Sequence, residues 1–169
     1  MSFFEELSPY EYMLYTMSDE AVSPGLNVGW LDPESPYPRG PVDPQVVEAL
    51  WAHCRYIVGP TRGVHDCPFC RGEPVCSYVH EGERRMLGTG EIRIFASDGA
   101  SFACPNLVFQ YVRDHGYQLP DVVLTALREG PKPGSPEYEL RLDDCGLRWH
   151  PQPLIPEEPK RIRLGSGPS

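Results

Sequence analysis

The stretch Arg62-Gly-Val-His-Asp-Cys-Pro-Phe-Cys-Arg-Gly72 (RGVHDCPFCRG) places His65, Cys67 and Cys70 within six positions. The chemistry of these three donors decides how the rest of the chain is read. Cys-x-x-Cys brings two sulfurs together on a tight turn, which Pro68 stiffens, and Gly72 can take a positive φ just beyond it. Residues two apart on an extended segment face the same side, so His65 points with Cys67. Zinc takes four donors in a closed tetrahedral site, and this loop supplies three.

Cys-Pro-Phe-Cys also resembles the active-site motif of glutaredoxins. Thiol redox chemistry needs the first cysteine at a helix N-terminus, where the dipole lowers its pKa. The lead-in Gly-Pro-Thr-Arg-Gly-Val-His-Asp is not a buried strand, and Arg71-Gly-Glu-Pro74 breaks any helix at once. Both flanks favour a metal knuckle over a redox pair.

A fourth ligand can come from Cys76, His80, Cys104, His115 or Cys145. His115 lies four residues after Tyr111 and three after Val112, on the inward face of a helix stopped by Gly116, and it is the best placed. Cys54 falls on a helix's apolar stripe and Cys104 reads as a small core residue beside Pro105. Cys76 and Cys145 remain alternatives.

The chain has 169 residues, the size of one domain, with 40% hydrophobic residues. Twenty prolines and 16 glycines predict short elements joined by much loop. A net charge of -9 argues against nucleic acid, because counterion release needs a basic surface; it suits plain solubility first, and capture of a basic protein partner second. The N-terminus has no basic n-region or apolar h-region, and no apolar run approaches the ~20 residues of a membrane span. The expected setting is therefore the cytoplasm. There, clustered cysteines read as ligands before disulfides.

Residues 3–17 have the spacing of a short helix or two, and 27–31 of a short strand. Asp43 and Pro44 read as N-cap and first helical residue of a helix to about Arg55, with Val46, Val47, Leu50, Trp51 and Cys54 inward and His53 on the surface. A strand at 75–79, a half-buried strand at 90–96, a turn at 97–99 and a returning arm at 101–104 follow. Helices are predicted over 106–115 and 120–128, a linker over 131–136, and paired strands at 138–142 and 147–149. The fold class is α+β, a small antiparallel sheet with short helices: one domain over 1–150, with a Pro-rich polar tail over 151–169.

Asn27-Val-Gly-Trp-Leu-Asp, Thr61-Arg-Gly-x-His-x-Cys-x-Phe-Cys70, Gly90-Glu-Ile-Arg93 and Tyr111-Val-x-x-His-Gly-Tyr117, with Pro120 after it, are similar to a family of small uncharacterised bacterial proteins. The resemblance covers residues 27–127 and implies a His65/Cys67/Cys70/His115 metal cluster, without an activity. Residues 73–86 and the C-terminal 40 depart from it, and both additions carry cysteines.

Glu91 and Arg93 share one strand face, which reads either as a solvated or ion-paired surface or as support for the metal, with Glu91 accepting a ligand histidine's ring N–H. The sequence contains no His-Glu-x-x-His, Gly-x-Ser-x-Gly or phosphate-binding glycine loop. The first expectation is a cytoplasmic protein-interaction module with a structural zinc, an acidic inhibitor or immunity-type partner of a basic protein. The alternatives are a zinc-dependent hydrolase with an open metal position and Glu91 as base, and a Cys-x-x-Cys thiol redox protein. The sequence does not specify an oligomeric state.

Overall fold

A computed structural model describes residues 3–12, 25–61, 63–70 and 77–151. They form an α+β fold with four helices and three small sheets. In the central sheet, β1 (Leu26–Asn27) runs parallel to β6 (Ser101–Pro105), which pairs antiparallel with β5 (Glu91–Phe95). β2 (Tyr56–Ile57) pairs with β7 (His150–Pro151), and β3 (Ser77–His80) forms a hairpin with β4 (Glu83–Met86).

The first helix, α1 (Pro44–His53), starts where its residues dictate: Asp43 Oδ1 accepts the Gln45 N–H and Pro44 needs no partner for a missing one. Val46, Val47, Leu50, Trp51 and Cys54 are buried, as the apolar spacing requires. His53 is buried as well, 2% exposed, and this corrects its assignment to the surface. Its Nδ1 lies 2.8 Å from the Ala49 carbonyl and its ring meets the edge of Tyr138. A chain segment more than 80 residues downstream covers it.

β5 and β6 are buried at every position, on both faces. Alternation predicted one wet face for β5. The N-terminal segment removes that water by laying Tyr10 over Glu91 and Arg93, while Trp30, after β1, packs with Tyr10 beside Ala103 of β6. Residues 3–12 contain no helix; after a turn at Leu7 (φ 59°), residues 8–10 run beside β1, with Tyr10 N–H donating to Gly25 O and Leu7 N–H to Asn27 O. Pro9 suits that conformation, and Phe4, edge-on, and Tyr12, tilted, pack against Trp30 at centroid distances of 5.4 and 5.3 Å. The strand predicted at 27–31 is confined to Leu26–Asn27, because Gly29 turns the chain at φ 69°.

The turn at 97–99 closes β5 onto β6 through Gly99 at φ 95°, with Asp98 Oδ1 accepting the Ala100 N–H. α2 (Val108–His115) ends at Gly116 with φ 65°, the left-handed stop its sequence announced. α3 (Asp121–Glu129) follows, ending at Gly130.

Tyr138–Leu142 is not a strand. It lies inside α4 (Pro136–Asp144), capped by Ser135, whose hydroxyl accepts the Tyr138 N–H. α4 turns Tyr138 and Leu142 into a second core cluster with Val58, Phe95, Cys145 and Leu147. The tail beyond residue 151 lies outside the described residues, as do Cys76 and Arg62. No helix among the described residues is long and apolar enough to cross a membrane.

Candidate metal centre

Two elements converge on the knuckle. The Cys-Pro-Phe-Cys turn is closed by Cys70 N–H donating to Cys67 O at 3.3 Å. α2 delivers His115, whose Nε2 lies 3.2 Å from Cys67 Sγ and 3.4 Å from Cys70 Sγ. The three ligand atoms fall within 4.8 Å of one another and can hold a metal ion. No other such group of three occurs among the described residues. Three thiolate and imidazole donors at this spacing suit a borderline-soft divalent ion.

Phe69 fixes the turn onto the domain. Its ring packs between Tyr37, Tyr111 and His115, with centroids 5.0, 5.4 and 5.4 Å away. The lead-in is held by backbone: Thr61 N–H donates to Thr89 O and His65 N–H to Gly88 O. That ladder needs Gly88, which has φ 73° and where a Cβ would stand 1.8 Å from the His65 carbonyl oxygen. Asn106 holds the opposite side, its Oδ1 accepting the Gly88 and Thr89 N–H groups at 2.7 and 3.3 Å. Neither residue stood out in the sequence, because a lone Gly and a lone Asn are common turn residues; only their pairing across 18 positions has meaning.

His65 is not among the three converging donors. It lines a cavity of about 20 Å³, room for about one water, together with Tyr12, Trp30, Thr61 and Glu91. Cys54 and Cys104 are core residues, fully buried. Cys145 belongs to the second cluster, and His80 of the β3–β4 hairpin pairs with Glu48 of α1.

Glu91 and Arg93 do not form a solvated face: they are 2% and 1% exposed. They are ion-paired at 3.3 Å, and the Tyr10 hydroxyl sits 2.7 and 2.8 Å from the two Glu91 oxygens. The Arg93 guanidinium also stacks 4.2 Å over the Tyr10 ring. Burial raises the Glu91 carboxyl pKa, while Arg93 and Tyr10 pull it back. Glu91 shares the small cavity with His65, yet both of its oxygens contact Tyr10, so it is committed to clasping the N-terminal segment.

Burial pushes the Cys67 thiol up to about 11, the wrong direction for a redox nucleophile. Burial also lowers the His115 pKa, with Asp114 opposing and Arg39 assisting. The shift favours the neutral ring that a metal ligand must present. Gln110, which the sequence reading passed over, is 1% exposed and donates from Nε2 to Cys70 Sγ at 3.1 Å. Its signal was a polar side chain in the wholly buried run Val108–Val112.

No curated protein and no solved structure matches the chain. A match to a family does extend over residues 2–128, spanning the knuckle, the central sheet and the helix that carries His115. The chain belongs to the family described as a domain of unknown function (DUF7919).

Proposed function

We propose that this chain is a protein-interaction module built on a structural zinc, held by Cys67, Cys70 and His115. The observation that carries this reading is the convergence of three donor atoms from segments 45 or more residues apart, within 4.8 Å. His65 stands outside these three donors, beside the small cavity, and enters this reading as fourth ligand only through the motif resemblance, which requires its ring to turn toward Cys67. A zinc ion in such a setting contributes on the order of 10 kcal/mol, comparable with the whole stability of a domain, so it compensates for a loop-rich chain.

The hydrolase reading is less well supported, because Glu91 is tied to Tyr10 and Arg93. The redox reading suffers from the raised Cys67 thiol and from a turn where a helix N-terminus would be needed. The net charge of -9 suits a basic partner protein in the cytoplasm.

The purified protein should carry about one zinc per chain by elemental analysis. Metal-free protein with freely titrating thiols at Cys67 and Cys70 would sink the assignment. The partner is sought by co-purification from the native cell, then by reciprocal binding with purified components at rising salt. A basic partner should bind more weakly as ionic strength rises.

A further inference from the structure

One buried side chain beside the knuckle has no role in the metal reading. Gln110 lies in the middle of α2, 1% exposed, with its Nε2 at 3.1 Å from Cys70 Sγ. Its Oε1 is buried and has no hydrogen-bond partner. The amide is therefore oriented by the sulfur alone. Reversing it would aim the carbonyl oxygen at the sulfur, setting two acceptors face to face if that sulfur is ionised. A neutral thiol is a weak acceptor and would not repay a buried, unpartnered oxygen. The arrangement matches a metal-bound thiolate.

Cys70 is the exposed cysteine of the pair and Cys67 the buried one. A thiolate at the surface is the ligand most open to exchange with water and to electrophiles. The donor that reaches it comes from the same helix that delivers His115, so one rigid element fixes both ligands.

We propose that Gln110 is a positioning residue of the metal centre. Its amide N–H holds the Cys70 thiolate, withdraws charge from the sulfur and slows its loss from the metal. This rests on the metal reading above, and its test separates the two. Gln110→Met removes the donor with little change in volume, and Gln110→Glu puts a carboxylate against the thiolate. Zn²⁺ and Co²⁺ affinities of both variants are measured by competition with a chelator, and the Co²⁺ form is read by its thiolate-to-metal charge-transfer band.

Loss of a hydrogen bond to a ligand typically costs about 10–100-fold in metal affinity. Gln110→Met should fall in that range with its charge-transfer band shifted, a change that loosened packing alone would not produce. Gln110→Glu should lose at least as much, and His115→Ala, which removes a ligand, should lose more. Parental affinity and an unshifted band in both Gln110 variants would overturn the role of Gln110 while leaving the metal site intact. A parent protein that binds neither ion would overturn both. If Gln110→Glu fails to fold, Gln110→Met alone decides.

Discussion

His53 shows what a single burial event does to a titratable side chain. Desolvation lowers its pKa to about 4; the Ala49 carbonyl opposes that shift and Lys132 adds to it. An unfolded chain protonates the same ring near 6.5, so acid favours unfolding. Stability is complete above about pH 6.5 and falls as pH drops through 4, by about 3 kcal/mol in all. In urea denaturation between pH 7 and 4 the parent should lose about 3 kcal/mol more than His53→Gln, the acid release of any bound metal adding to both profiles alike. A parent protein as stable at pH 4.5 as at pH 7 would refute the assignment. The apolar stripe of α1 could not reveal this burial, because Tyr138, which covers His53, belongs to another element. Glu91 and Arg93 hid for the same reason: the residue that buries them, Tyr10, lies 81 positions from Glu91.

Elements were legible where local chemistry and packing agree. α1 begins on its Asp-Pro cap and α2 ends on its glycine, both readable from a few residues. α4 was misread because Tyr138, Leu140 and Leu142 alternate like a strand. In the helix, Tyr138 and Leu142 face the core four residues apart, while Leu140 is 63% exposed. Ser135-Pro136 and the acids at 137 and 139 were the better signal, a cap followed by a favourable first turn. The ladder between residues 61–65 and 88–89 yields a prediction at this scale. Gly88→Ala places a methyl into the His65 backbone at a φ of 73°, so the two segments must separate. Stability should fall by several kcal/mol, on the order of the larger single-site losses, and metal affinity should fall with it. Equal melting temperatures for Gly88→Ala and the parent would show that the ladder does not seat the knuckle.

At the scale of the whole molecule, the family match ends at residue 128 but the packing does not. Tyr138, Leu142, Cys145 and Leu147 cover Phe95 and Val58, and the Tyr138 hydroxyl donates to Arg93 O at 2.8 Å. Each large apolar side chain so buried contributes about 1.5–3 kcal/mol. A chain ending at residue 130 should therefore melt far below the full protein or aggregate, as measured by calorimetry and size-exclusion chromatography. An unchanged melting temperature would make the C-terminal segment a passenger. The grouping of Cys67, Cys70 and His115, which can hold a metal ion, was in contrast legible from the residues, because ligand chemistry restricts residue type and position together. The place of His65 beside a cavity was not, since it depends on how Thr61 and His65 bond to the Gly88-Thr89 backbone.

Cys67 and His115 are 48 residues apart in sequence and 3.2 Å apart in space. An ion joining them acts as a detachable cross-link, made in the folded chain and lost when it unfolds. Unlike a disulfide, this link is set by mass action: each tenfold change in free zinc shifts folding stability by about 1.4 kcal/mol once the site is near saturation. On the zinc reading, the folded fraction of the protein becomes a gauge of the metal supply in its surroundings.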